Sequence, residues 1–128
     1  MVVDTSAVIA VLNEEAEAGT MLAKMERDTL RLISAVSVLE AGIIAHSRKG
    51  DEGVAALDAF LREAELEIQP FDADQAFLAR RAYSEFGKGQ HAAGLNFGDC
   101  AVYALALATG EPLLFKGSDF SKTDVEAA

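Results

Sequence analysis

The spacing of apolar residues changes several times along the chain, and each change marks an element. Val2-Val3 is a short apolar pair closed by Asp4-Thr5, the pattern of a buried strand and its exit. Ser6 then stands in a capping position for an apolar helix through Leu12. From Glu14 to Arg27 the spacing is helical, with Ala18, Met21, Leu22 and Met25 on one side, so this stripe is expected to face the core. Leu30 to Ser34 alternates and reads as a second strand, and Ser37 to Lys49 returns to helical spacing and stops at Gly50. Asp51 opens another helix, with Val54, Leu57, Phe60, Leu61 and Ala64 inward. Leu66 to Phe71 alternates again, a third strand that ends at Pro70. Asp72 and Gln75 have the spacing of a capping box, and Ala76, Ala79, Tyr83 and Phe86 follow down one face. A polar loop from Gly87 to Gly94 precedes Gly98 to Thr109, a helix so apolar that burial on most sides is expected. Gly110 stops it, and Pro112 to Phe115 makes a fourth strand.

Strands separated regularly by one or two helices imply right-handed crossovers and a parallel sheet covered on both faces. The expected fold is α/β: a three-layer α/β/α sandwich around a mainly parallel sheet of four to five strands, in one domain over residues 1–128. In such sheets ligands bind beyond the carboxyl ends of the strands. Asp4 leaves the first strand at that edge, and Asp119 follows the fourth.

Composition narrows the chemistry. The single cysteine, Cys100, excludes an internal disulfide framework and reads as a core thiol, and no Cys/His spacing resembles a zinc site. No apolar run approaches the roughly 20 residues of a membrane span, and no signal peptide is apparent, so a cytoplasmic, soluble protein is expected. Eleven basic residues against 21 acidic ones leave a formal net charge of −10, the wrong sign for a groove that tracks phosphates with Lys and Arg alone. A nucleic-acid role would need a metal ion or a partner.

Four of the acids stand out. Asp4 ends a strand, Glu40 sits in S-V-L-E-A-G near the start of a helix, Asp99 sits in L-N-F-G-D-C-A-V-Y at the start of the most apolar helix, and Asp119 follows L-L-F-K-G-S. Carboxylates gathered at one sheet edge repel, and a divalent cation relieves the repulsion. All-oxygen ligands favour magnesium or manganese, which can activate water and stabilise a phosphoryl oxygen, so phosphodiester hydrolysis is the natural chemistry. Plainer explanations compete. Ser37 with Glu40 and Asn96 with Asp99 both have capping-box spacing, and Asp119 suits a turn. Asp4 is hardest to explain otherwise, because as a buried strand acid it should cap nothing. Ser6 and Asn96 can contact substrate or simply cap; His91 and, near Asp119, Lys116 can meet a phosphate, though an exposed surface residue is the default for each, and His46 is assigned no role.

The motifs resemble those of PIN-domain ribonucleases of the VapC toxin type. V-V-D-T-S-A-V-I-A-V-L is similar to that family's opening motif, S-V-L-E-A to the helix bearing its glutamate, G-L-N-F-G-D-C-A-V-Y-A-L-A to its third acidic segment, and E-P-L-L-F-K-G-S-D-F to its last strand and acidic turn. The resemblance runs the length of the chain. It implies a magnesium- or manganese-dependent endoribonuclease toxin, neutralised by a VapB-type antitoxin, forming homodimers and toxin–antitoxin hetero-oligomers. It also implies that Asp4, Glu40, Asp99 and Asp119 bind the metal and carry catalysis, with a basic antitoxin tail competing for the same acids. Many PIN domains have their fourth aspartate where this chain has Gly117, and relatives with Asp-Asp before the Phe have an acid where Ser118 stands; Asp119 is the remaining candidate and Asp124 the second. Two alternatives stay open: a catalytically weak PIN-fold binding module, and an aspartate-nucleophile phosphohydrolase built on Asp4.

Overall fold

The computed structural model describes residues 1–128. Its elements follow in the order β1 (Val2–Val3), α1 (Thr5–Leu12), α2 (Ala18–Arg27), β2 (Leu32–Ser34), α3 (Ala35–Glu63), β3 (Glu67–Gln69), α4 (Ala73–Phe86), α5 (Phe97–Thr109) and β4 (Leu113–Leu114). A 3-10 turn spans Phe120–Lys122. The four strands are all parallel and ordered β3-β2-β1-β4. This is the expected α/β/α sandwich, with four strands; beyond β4 only Ala127 adds a single bridge to Leu113.

Because strand side chains alternate, each strand feeds two cores. Val3, Ile33 and Leu114 point into one cluster with Ala7, Val8, Met21, Met25, Ala41, Leu57 and Leu61, from α1, α2 and α3. Val2, Leu32 and Leu113 point into the other, with Ala82 of α4 and Cys100, Val102, Tyr103, Leu105 and Ala106 of α5. The two clusters define the outer layers. As its composition suggests, α5 is buried from Cys100 through Ala106.

Several boundaries differ from expectation, each for a local reason. The cap of α1 is Asp4 itself, whose carboxylate accepts the Ser6 N–H at 3.0 Å, so Ser6 lies inside the first turn. The cap of α3 is Ser34, whose hydroxyl accepts the Val36 N–H at 3.2 Å; β2 therefore runs straight into the helix. At Lys49-Gly50 the helix breaks, with Gly50 at φ 57°, and the second half folds back so closely that a Cβ on Gly53 would lie 2.4 Å from the Ala45 carbonyl oxygen. The start of α2 is Ala18, after a loop in which Glu14 adopts φ 52°. In α2 the buried stripe is Met21 and Met25, with Leu22 outside. In α4, Asp72 accepts the Gln75 N–H at 2.9 Å, but the Gln75 side chain donates to the Pro70 carbonyl, so only half of a capping box forms. The face of α4 that is buried runs through Gln75 and Ala82, leaving Tyr83 exposed.

The C-terminal segment is tied down by polar contacts. Leu113 N–H donates to the Glu126 carbonyl at 2.8 Å and Ala128 N–H to the Leu113 carbonyl at 2.9 Å. The Tyr103 hydroxyl, whose ring is in the α5 core, donates to Asp124 Oδ1 at 2.5 Å. Burial first, and then this carboxylate, push the Tyr103 phenol well above its ordinary pKa, so the tyrosine stays a donor at every physiological pH. Asp124 is thereby committed to structure. Tyr103→Phe is expected to remove about 1.5 kcal/mol and lower Tm by roughly 5 to 6 °C in thermal denaturation.

Candidate active site

At the carboxyl ends of β1, β2 and β4 three chain segments meet. The Asp4 N–H donates to the Leu114 carbonyl at 2.9 Å, which carries the pairing of β1 with β4 up to the acid. The carboxylate of Asp4 is 5% exposed and accepts both the N–H and the hydroxyl of Ser6. That hydroxyl also accepts the Lys116 N–H at 2.9 Å, joining α1 to the loop after β4. Thus Asp4, expected to cap nothing, caps α1. The cap offsets part of the burial penalty and the positive end of the helix another part. Burial still dominates: it raises the Asp4 pKa above the ordinary carboxylate value, the two Ser6 bonds pull it down, and Glu40 pushes it up.

Glu40 comes from the second turn of α3, not the first. With Ser34 as the cap, Ser37 is interior; its buried hydroxyl has no partner, so the capping box between Ser37 and Glu40 does not form. The Glu40 carboxylate instead rests on α5. A Cβ added to Gly98 would lie 2.4 Å from its Oε2 and 3.0 Å from its Cδ. Gly98 therefore leaves the space that the Glu40 carboxylate occupies, next to Asp99 in the chain, a role that spacing alone does not reveal. The available clue is a glycine in the first turn of a helix, where propensity disfavours it.

Asp99 does form its capping box. Asn96 Oδ1 accepts the Asp99 N–H at 2.9 Å, and Asp99 Oδ2 accepts the Asn96 N–H at 3.0 Å. The cap occupies one carboxylate oxygen, fixes the rotamer and leaves the other oxygen free of protein hydrogen bonds. The Asp99 pKa is pushed up to about 6, mainly by burial; Asn96 lowers it, and Asp4, Asp119 and Glu40 each raise it. The other three expected acids thus all lie within electrostatic reach of Asp99. None of them has a Lys or Arg ion-pair partner.

Asp119 is exposed, in contrast to the apolar setting its sequence neighbours suggest. It leads into the turn at Phe120, whose ring packs 5.2 Å from that of Phe115. Gly117 has φ 97°, a conformation that favours glycine. Asp119 is the first acid after β4, and its charge acts on Asp99. Asp124, held by Tyr103, is not among the groups acting on Asp99.

As they stand, no three His, Cys, Asp or Glu side chains converge closely enough to hold a metal ion. The donor chemistry nonetheless fits a hard divalent cation. It consists of oxygen ligands only, a buried carboxylate without a counter-charge, and a second whose pKa its neighbours raise. The Thr5 hydroxyl, buried beside Asp4 and without a partner, adds an unused oxygen at the same edge. Ser6 and Asn96 are spent on the caps just described. His46 and His91 are exposed; Cys100 is buried, with a thiol pushed up to about 11 by burial and by Asp99.

The PIN domain model matches residues 1–126. Over 125 residues the chain is 47% identical to Ribonuclease VapC30 of Mycobacterium tuberculosis, covering 98% of this chain and 95% of that one. The chain belongs to the PIN-domain family, among the VapC ribonucleases. Solved folds agree. VapC20 of Mycobacterium tuberculosis, described as a sarcin-ricin loop cleaving toxin, superposes with a TM-score of 0.81 at 18% identity, covering 99% of this chain and 97% of that chain. VapBC2 of Rickettsia felis, bound to a promoter DNA fragment, gives 0.79 at 18% identity over 99% and 96% of the two chains. This membership of the PIN family sets aside the aspartate-nucleophile alternative.

Two outcomes follow for the site. Gly98→Ala should fold as well as the parent, since alanine suits a helix better, yet displace the Glu40 carboxylate and reduce RNA cleavage by on the order of a hundredfold. Paired thermal melts and cleavage assays check this. The second concerns pH. A carboxyl whose folded pKa is raised binds protons more tightly folded than unfolded, so its contribution to stability is lost as pH rises from its ordinary value of 3.8 through about 6. In EDTA, the Tm of Asp99→Asn relative to the parent should therefore increase between pH 4 and pH 6.5.

Proposed function

We propose that this chain is a divalent-metal-dependent endoribonuclease toxin held in check by a VapB-type antitoxin. The observation that carries the reading is the electrostatic coupling of Asp4 and Glu40 to Asp99 at the carboxyl edge of a PIN fold, with Glu40 seated against the glycine that precedes Asp99. Identity of 47% to a protein named a ribonuclease over nearly the whole chain supports it, and so does the fold likeness to a VapBC assembly.

In this reading Asp4, Glu40, Asp99 and Asp119 hold the cation, magnesium or manganese by the hardness of their oxygens. When bound, such a cation supplies positive charge for the phosphoryl oxygens and lowers the pKa of a water. The chain supplies the rest. Asp4 is locked by Ser6 and Asp99 by Asn96, so two ligands are oriented before the cation arrives. Asp99 must lose its proton to ligate, so cation affinity rises with pH through about 6. With a cation held there, the cluster would no longer repel an RNA phosphate as a chain of net charge −10 otherwise does.

The antitoxin reading draws on the same charge, since a basic tail that offers an arginine to these acids would take the place of the cation. Self-association has apolar surface available. Leu39 and Ile43, four residues apart on α3, are 65% and 59% exposed, and a groove of about 870 Å³ between α4 and α5 presents Phe71, Phe77 and Phe97.

The test is cleavage of total cellular RNA by the purified, antitoxin-free chain in magnesium, manganese or EDTA, beside Asp4→Asn. Discrete fragments should appear with either cation, vanish in EDTA, and fall by at least about a hundredfold in the variant. Equal cleavage by Asp4→Asn, or cleavage in EDTA, would refute the assignment.

A further inference from the structure

Lys116 stands at the rim of the acid cluster without belonging to it. Its backbone N–H donates to the Ser6 hydroxyl, which donates in turn to Asp4, so its Cα is held beside the most buried acid. Its side chain turns outward. The ammonium pairs with Glu15 and lies 3.4 Å from Glu17, on the loop between α1 and α2. These contacts raise the lysine pKa and lower that of Glu15, as expected of a mutual pair, and the lysine side chain is 37% exposed.

We propose that Lys116 binds an RNA phosphate next to the scissile position, and that Glu15 and Glu17 hold its ammonium in reserve until RNA arrives. The inference rests on the ribonuclease reading above. Three observations lead to it. Among the four acids and their immediate partners no cation is present, yet a phosphodiester chain brings more negative charge than one cation site neutralises. Lys116 is the basic residue whose backbone is wired, through Ser6, to the cluster. Finally, its present partners are Glu15, half-buried, and Glu17, exposed, and ion pairs at the surface add little stability, so replacing them by a phosphate is a near-balanced exchange. The flexible four-carbon stem allows the swing.

The rival explanation is a brace, in which the ion pair simply fixes the loop after β4. The two differ in sign. If Lys116 is held in reserve, removing its partners frees it; if it is a brace, removing either side damages the site alike. The experiment measures initial rates of fragment release from total cellular RNA over a range of RNA and salt concentrations. Lys116→Met is expected to raise KM about fivefold, with the change on KM rather than kcat. It should also flatten the dependence of log(kcat/KM) on log salt by about 0.7, the loss of one single-strand phosphate contact. Lys116→Arg should restore both. Glu15→Gln with Glu17→Gln should lower KM. A raised KM in the glutamate double variant, or an unchanged KM and salt slope in Lys116→Met, overturns the inference while leaving the ribonuclease reading intact. Absence of cleavage by the folded parent chain overturns both.

Discussion

The structure depends on keeping one carboxylate, that of Asp4, inside a parallel sheet. A buried, unpaired carboxylate is among the most expensive groups a fold can contain. Here the chain surrounds it with donors. The N–H and hydroxyl of Ser6 face it, the N-terminus of α1 points at it, and its own backbone is fixed to Leu114 of β4. The remaining penalty is visible as a raised pKa. Each element around the site then has a defined job. β4 sets the height of Asp4, Ser6 ties α1 to the loop after β4, and α3 and α5 bring up the second and third acids.

Much of this was legible in the sequence because periodicity and acid placement are local signals. The order of strands and helices, the parallel sheet and the buried character of α5 all follow from spacing. Asp4, Glu40, Asp99 and Asp119 were legible as exceptions to that spacing. What could not be read was which of two hydroxyls caps a helix. Ser34 and Ser37 are equally good caps by type, and the choice depends on where β2 stops, a tertiary fact. The same shift decided Glu40. Once Ser34 is the cap, Glu40 lies a turn too deep for a capping box, and the structural explanation for it disappears. For Asp99, by contrast, capping and clustering proved compatible, since each uses a different carboxylate oxygen.

Gly98 and Asp124 show the two ways in which pairing across the chain hides from sequence. Gly98 matters for what it lacks, and the group that needs the space is 58 residues earlier, at Glu40. Asp124 has the composition of a candidate ligand, but its partner is a tyrosine in a helix 21 residues upstream. Gly117 falls between these cases. Its φ of 97° suits glycine, the residue that stands where many PIN domains have an acid.

The electrostatics of the site and of the whole chain then form one problem. Carboxylates that raise one another's pKa values destabilise the folded chain as they ionise, so the cluster works against stability wherever it is competent to bind a cation. Such conflicts concentrate at functional sites. In the proposed reading, a group of acids that is costly alone and comfortable with a positive charge would accept a divalent cation or an arginine for the same reason. Specificity between the two must come from geometry. A cation needs the free oxygens of Asp4 and Asp99 turned toward a common point, whereas a guanidinium needs a planar pair of acceptors. The caps at Ser6 and Asn96 fix one oxygen of Asp4 and of Asp99, and because a carboxylate is planar the second oxygen is fixed with it. One open oxygen on each acid can meet a small sphere, whereas a fork that needs both oxygens of one carboxylate would have to displace a cap, so a basic tail would gain its advantage from contacts made outside the cluster.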